Sequence, residues 1–383
     1  MNSLNYNTLH AREHTKKNQH FISKFQLRNF SFQDNEKQIG LYNLKSSLFY
    51  PTATLDDQGY KKFFYGRDGK IEDELASIEG YFADLIKEII TTKSAPKKDS
   101  PMHLILLAFV GISHLRNPVA IEGNKKMVDS IRNHFSENFP TTDIERSMPK
   151  FSQEDEIELT FSNLFDIIVS ISDLDCKVLI NNTNTPFIFS DFPVIRYNMF
   201  LELKKWPSYR DGYSIAGLQI FVPLSSKISI VLFDPKIYKV GFKNRLNLEI
   251  DNYKCIDKLN ELQVLNSFEN VYFNHEVSKK YITNLVEGCK KYQKPNQIIL
   301  DTGYLYNEDT KTRYANPKDA GLLISKSTYL ETKLEINGIK IHSGASNINI
   351  LNNKILIRKN SNAFIRDKYQ QSKVLKIYHK DEK

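Results

Sequence analysis

The hydrophobic period of this chain changes once, near Cys176, and that change constrains the fold more than any other feature. Upstream of it, Ile71, Leu75, Ile78, Phe82, Leu85, Ile86 and Ile89 recur at steps of three and four, the spacing of one helix face. Glu72, Asp73 and Glu74 stand in the first turn of that segment, where the helix dipole favours negative charge. A more apolar helix is expected from about Met102 to Leu115, closed by Asn117-Pro118. Two further helices are expected over 122–136 and 154–175, the latter lined by Ile157, Phe161, Leu164, Phe165, Ile168, Ile171 and Leu174.

Downstream of Cys176 the apolar residues gather in short β-type runs at 177–181, 186–191, 193–198, 218–224 and 227–235. Pro223 to Ser226 is short enough to join the last two as an antiparallel hairpin. Helices are expected again over 251–266 and 277–290, followed by β-like runs at 321–325, 330–342 and 347–358. The fold class read from this order is α+β, an N-terminal helical layer packed on a mainly antiparallel sheet with a C-terminal β-rich extension. A doubly wound parallel sheet would contradict it. The 383 residues suit one large domain or two ordinary ones, and the boundary is drawn between a core domain at 1–275 and the extension at 276–383, with a frayed basic tail after Arg366.

Charge is concentrated at the ends. The formal net charge is +8, with five Lys/Arg against Glu13 in residues 1–30 and nine against Asp367, Asp381 and Glu382 in residues 354–383. Basic ends on a near-neutral body favour polyanions through counterion release, and solvated Lys- and Asn-rich ends read the same way in composition. Three widely spaced cysteines without a CxxC pair exclude a disulfide framework and a thiolate zinc site, so a reducing, cytoplasmic setting is expected. The longest apolar run, Leu104 to Ile112, is far shorter than the roughly 20 residues a membrane span needs. No membrane association is expected.

No Walker A, GxSxG, HExxH, EF-hand or GxGxxG string occurs. What remains is NQHFISKFQLRNF (18–30), where His20, Lys24 and Arg28 interleave with Phe21, Phe25, Leu27 and Phe30. An imidazole exchanges protons near neutral pH and two cations hold phosphate oxygens, a sensible trio for phosphodiester chemistry. The same trio also serves as packing around a hydrogen-bonded histidine. Asp191, before Phe192-Pro193, is read either as a turn cap or as a carboxylate aimed at Arg116 or His20. Arg116, closing an apolar helix, is read either as a phosphate-stabilising cation or as one end of a salt bridge to Glu79 or Asp191. His103 and His114 lie about 16 Å apart along one helix and do not form a metal cluster. A divalent ion held by Glu79 and Asp191 would have only two carboxylates, and no other cofactor is expected. The loop KKWPSYRDGYS (204–214) offers Trp206 and Tyr209 to stack bases and Lys204, Lys205 and Arg210 to meet phosphates, or else is anchored by one buried Trp.

The opening KNQHFISKFQLRNF resembles that of an uncharacterised bacterial domain-of-unknown-function family, whose members begin with a variant of HYVPQFYLRNF. Further pieces follow in the family's order: IEDELASIE (71–79), LRNP (115–118), FIFSDFPV (187–194) for a Ser-Asp-x-Pro signature, GLQIFVPLSSKISIVLFDP (217–235) for a Pro-Leu-Ser hairpin, and KLNELQVLNSFENVYF (258–273). The match spans about 18–275. Ser23 stands where the family commonly has Pro, Phe21 replaces a usual Tyr, and Asn117 stands where Thr is frequent. The resemblance marks His20, Lys24, Arg28, Glu79, Arg116, Asp191 and Asn260 as positions of interest. It implies no reaction, but an association with mobile elements and defence islands points toward nucleic acid or nucleotides as partners. The function expected is a hydrolase acting on phosphodiester bonds, a toxin or anti-phage effector; the alternative is a non-catalytic sensor or binding module in such a system.

Overall fold

The computed structural model describes residues 17–32, 35–138, 152–206, 210–292, 298–304, 306–307, 312–313, 321–327, 330–346 and 357–358. In chain order, β1 (Asn18–His20) and α1 (Lys24–Arg28) precede a hairpin of β2 (Gln38–Asn43) and β3 (Leu48–Thr54), and β4 (Tyr60–Lys62) returns to pair with β1. Then come α2 (Lys70–Thr92), α3 (Pro101–Leu115), α4 (Pro118–Asn138), α5 (Gln153–Ser162) and α6 (Leu164–Ile171). The second half supplies β5 (Asp175–Asn181), β6 (Phe189–Ser190), β7 (Ile195–Tyr197), α7 (Met199–Leu203), β8 (Gln219–Pro223), β9 (Ile228–Phe233), β10 (Tyr238–Val240), β11 (Asn247–Ile250), α8 (Tyr253–Asn266), β12 (Asn270–Phe273) and α9 (Lys279–Cys289). The class is α+β.

A five-stranded sheet ordered β11-β5-β9-β8-β7 forms the middle layer, antiparallel throughout except for the β11–β5 pair. Alternation along its strands explains why it reads as apolar on both faces. Val178, Ile180, Ile220, Val222, Ile230 and Leu232 point into a core shared with the α2, α3, α5 and α6 helices. Leu179, Phe221, Val231 and Phe233 point the other way, into a second core closed by α8 and a four-stranded antiparallel sheet ordered β3-β2-β12-β6. The expected β8–β9 hairpin is present, with Pro223 opposite Ser229.

Three local features depart from the periodicity. Only part of the chain before Lys70 joins the helical layer, where Phe25 and Tyr65 pack; β2 and β3 belong to the second sheet, where Gly40 lies so close to the Phe273 ring that a Cβ would stand 2.4 Å from it. The expected single helix at 154–175 is two helices, because the Asn163 amide donates back to the carbonyls of Leu159 and Thr160 and ends the first. PFIFSD does not join its neighbours in the five-stranded sheet; β6 pairs with β12, and α8 straps it there through Asn260, which accepts from the Ile188 N–H and donates to Pro186 O.

Beyond residue 276, α9 packs on α8, and Leu330, Leu334, Ile336 and Ile339 enter the second core. After β13 (Ile298–Tyr304), β14 (Tyr306–Asn307), β15 (Thr312–Arg313) and β16 (Gly321–Ser327), β17 (Ile339–Ile341) pairs there with β10. A ribbon of Ile298–Tyr304 with Gly321–Ser327 follows the same β-rich pattern. Arg358 is buried and grips Asp173 at 2.9 Å. Most of the 347–358 run, residues 1–16 of the basic N-terminal end and residues 359–383 of the C-terminal one lie outside the described residues. Among the described residues, no single helix is long and apolar enough to cross a membrane.

Candidate functional site

Strand alternation decides what the first described segment shows to solvent. On β1, Gln19 points inward, donating to Gly66 O at 2.7 Å and accepting from the Tyr65 N–H at 2.5 Å, which turns Asn18 and His20 toward an open cleft. The turn after β1 is set by Gly59, at φ 67°, whose carbonyl accepts from the Phe21 and Ile22 N–H groups and whose Cβ would collide with Ile22 at 2.8 Å. Ser23 then opens α1 without capping it, because its hydroxyl is committed to Glu79 Oε1 at 2.9 Å.

The cleft runs between α1 and α2, with a cavity volume of about 930 Å³. Lys24 and Arg28 from α1 form one side, and Glu72, Ala76, Glu79 and Gly80 from α2 form the other, with Asp56 and Asp57 on the rim. The lining mixes charges: Lys24 and Arg28 stand with Asp56 and Asp57 on the α1 side, and Glu72 and Glu79 face them from α2. At its inner end the His20 side chain is 14% exposed and Nδ1 lies 3.9 Å from Glu72 Oε1, whose side chain is 12% exposed. His20 Nε2 and Glu72 Oε2 are buried without hydrogen-bond partners. The rim cations are loosely held. Lys24 Nζ meets Asp56 at 2.8 Å, holding that exposed carboxyl below its usual range, and Arg28 Nε stands 3.6 Å from Glu36.

Arg116 lies behind this wall. The helix α3 ends one residue earlier, and Asn117-Pro118 starts α4 at 65° to it, so Arg116 is pinched into the interior at 2% exposure. Its guanidinium donates to Ser23 Oγ and Glu79 Oε1, both at 2.6 Å, and to the His20 carbonyl. Burial opposes its charge, but the Glu79 carboxylate at 2.6 Å outweighs that and its pKa is raised further. Burial also pushes the Tyr65 phenol up to about 12, so it stays a donor, to the carbonyls of His20 and Arg116 at 3.2 Å each. Arg116 therefore positions His20 and Glu79 and does not line the cleft; its expected role as a phosphate-binding cation is corrected on this geometry.

Asp191 is also corrected. Its two carboxylate oxygens accept from the backbone N–H groups of Phe268, Glu269 and Asn270 at 2.6, 2.7 and 2.7 Å, and it lines no part of the cleft. Burial pushes its pKa up to about 6 in spite of those three donors. Its backbone carbonyl is held by the Asn117 amide. Asp191 ties the Ser-Asp turn to the α8–β12 connection and neither orients His20 nor shares a metal with Glu79. Among the described residues no three His, Cys, Asp or Glu side chains form a metal-binding group.

The 204–214 loop does not present its aromatic residue. Trp206 is 7% exposed within the second core, and Arg210 is buried, with Nε on Trp206 O at 2.7 Å and its tip on Glu331. Lys205 is exposed, Lys204 lies over the Phe200 ring, and Tyr209 is outside the described residues. A stacking platform built on Trp206 is thereby excluded.

A family model described as a protein of unknown function, DUF4238, matches residues 18–276. The chain belongs to the DUF4238 family. No curated protein and no solved structure matches it. The DUF4238 span contains β1, α1 and α2, and with them every lining residue of the cleft but Lys17. Within it, sequence reasoning missed Glu72 and Asp56. Glu72 was accounted for by the helix dipole alone; the signal that would have singled it out is its place one helix turn before Ala76 and two before Gly80, on the face that small residues leave open.

Proposed function

We propose that the DUF4238 cleft hydrolyses phosphoester bonds in nucleic acid or nucleotides. The observation that carries this reading is His20: an imidazole nearly buried at the end of an open cleft, one ring nitrogen facing Glu72 at 3.9 Å and the other unpartnered. His103 and His114 likewise carry a buried ring nitrogen without a partner, but neither lines the cleft, whereas His20 does. The cleft volume lies within the range of small-molecule sites.

In this reading the substrate phosphate lies against α1, where Lys24 and Arg28 exchange exposed carboxylate partners, worth little in water, for phosphate oxygens. Water attacks phosphorus, its proton passes to His20, and the bond to the leaving oxygen breaks as His20 returns the proton. Glu72 holds the imidazole and stabilises its protonated form; the gap of 3.9 Å closes as the substrate displaces solvent. Cys176, Cys255 and Cys289 stand far apart in the sequence without a CxxC pair, which suits a reducing interior, and we assign a cytoplasmic toxin or anti-phage effector as the cellular role. Incubation of purified protein with total RNA, plasmid DNA and nucleotides, with and without Mg²⁺ or Mn²⁺, tests the reading. Cleavage of one of these that is lost in a folded His20→Ala variant supports it. If no substrate changes and His20→Ala leaves biological activity intact, a non-catalytic binding module replaces it.

A further inference from the structure

On the face where β10 meets β17, the structure has a second pocket of about 420 Å³. Two glycines at positive φ set its floor: the Gly241 N–H donates to Gly338 O at 2.8 Å, and a Cβ on Gly338 would strike Leu248 at 2.5 Å. Beneath the loop, Lys177 is buried to 7% exposure and donates to the carbonyls of Val240 and Phe242, both at 2.6 Å, which fixes the backbone that carries Phe242. The pocket is thus preformed.

Its rim is unusual in charge. Lys239 and Lys340 are directly opposite each other across the two-stranded β10–β17 ribbon. Like charges at that spacing destabilise a strand pair. Arg245 adds a third cation and Glu249 is the one carboxylate in the lining. None of these three cations has a carboxylate partner among the described residues, in contrast to Lys24, Arg28 and Arg116. Between them Phe242 exposes 67% of its surface, with the Arg245 guanidinium 5.4 Å from the ring centroid. An exposed aromatic face among unpaired cations is the combination that holds a nucleic-acid strand, the ring stacking on a base while the cations take flanking phosphates.

We propose that this pocket binds single-stranded nucleic acid, Phe242 stacking on a base and Lys239, Lys340 and Arg245 engaging neighbouring phosphates. It is built across the end of the family span, since Lys340 and Gly338 come from residues beyond 276. It does not depend on the hydrolase reading, because none of its residues lines the His20 cleft.

The test is fluorescence anisotropy of labelled 12-nucleotide oligo(dT) and oligo(U) with the full chain across a salt series. Three phosphate contacts contribute about −2 to the slope of log K against log salt, so Lys239→Gln/Lys340→Gln together should flatten it by about 1.4. Phe242→Ala should weaken single-strand binding roughly five- to a hundredfold and leave duplex binding unchanged. All three substitutions replace exposed side chains, and unchanged circular dichroism confirms folded variants. Preferential binding of oligo(U) over oligo(dT), or the reverse, identifies the strand type within the proposal. Equal affinity of wild type and variants, which would place binding elsewhere on the chain, overturns it. So does duplex binding as tight as single-strand binding, or full displacement of the oligonucleotide by inorganic phosphate at millimolar concentration.

Discussion

Both oxygens of Asp191 accept backbone N–H groups, three in all, whereas at the head of the cleft His20 Nε2 and Glu72 Oε2 are buried and matched by nothing. The two regions begin alike, as polar residues set into apolar segments, and Arg116 with Asn117 stands between them, one side chain reaching each. The difference lies in what burial is for. A buried group whose bonds are all made fixes backbone geometry; one left unmatched beside open space has been placed at a cost of about 1–3 kcal/mol that the fold does not recover.

If Asp191 is architectural, its loss should show first in stability. Asp191→Ala strands three N–H groups and should cost about 3–5 kcal/mol in urea denaturation. A cost under about 1 kcal/mol would erase the distinction between the regions. Arg116→Met should cost somewhat less, about 2–4 kcal/mol, because it frees Glu79, which faces the cleft and can rehydrate. Its circular dichroism melt relative to that of Asp191→Ala measures how far the two regions are coupled through the 116–117 turn.

A pH series sharpens the comparison further. His114 is packed between Phe192 and Tyr213, and burial, with Arg196 nearby, holds its pKa well below 6.5. The folded state therefore favours neutral His114. Its contribution is intact above pH 6.5 and is lost as pH falls below that value, with a slope of up to about 1.4 kcal/mol per pH unit. His114→Leu should remove that slope in denaturation curves between pH 7 and 5. Asp191, raised to about 6, titrates in both proteins and cancels from the difference. An unchanged slope would mean that His114 is not held neutral. The smallest stability effect belongs to the rim: Lys24→Gln breaks an exposed pair and should change stability by less than about 0.5 kcal/mol. In the proposed reading it raises KM for a phosphate substrate while the melt stays put.

Much of this architecture is legible from periodicity, because the α2 and α3 helices and the β8–β9 hairpin are long, regular and flanked by Pro, Gly or Asn. The β2–β3 hairpin is not, since β3 is exposed along most of its length and carries Pro51, which breaks the alternation. Residue types in 18–30 identify one wall of the cleft. The opposite wall depends on which face of α2 is turned outward, and that follows from the packing of α3 against it. Asp191 illustrates the limit most clearly: its three donors come from residues 77 to 79 positions away, a separation no local pattern encodes. Trp206 misleads for a related reason, because basic neighbours on a loop say nothing about whether the indole points in or out.

The most direct test pairs turnover with folding in one set of proteins. Wild type, His20→Ala and Glu72→Gln are compared for cleavage of labelled RNA, DNA and nucleotides and, in the same preparations, for thermal melting. We expect cleavage by wild type, a loss of about 10²–10⁴-fold in His20→Ala, a smaller loss in Glu72→Gln, and melts within a few degrees of wild type. Cleavage at wild-type rates by folded His20→Ala, or no cleavage by any of the three, would contradict the hydrolase reading.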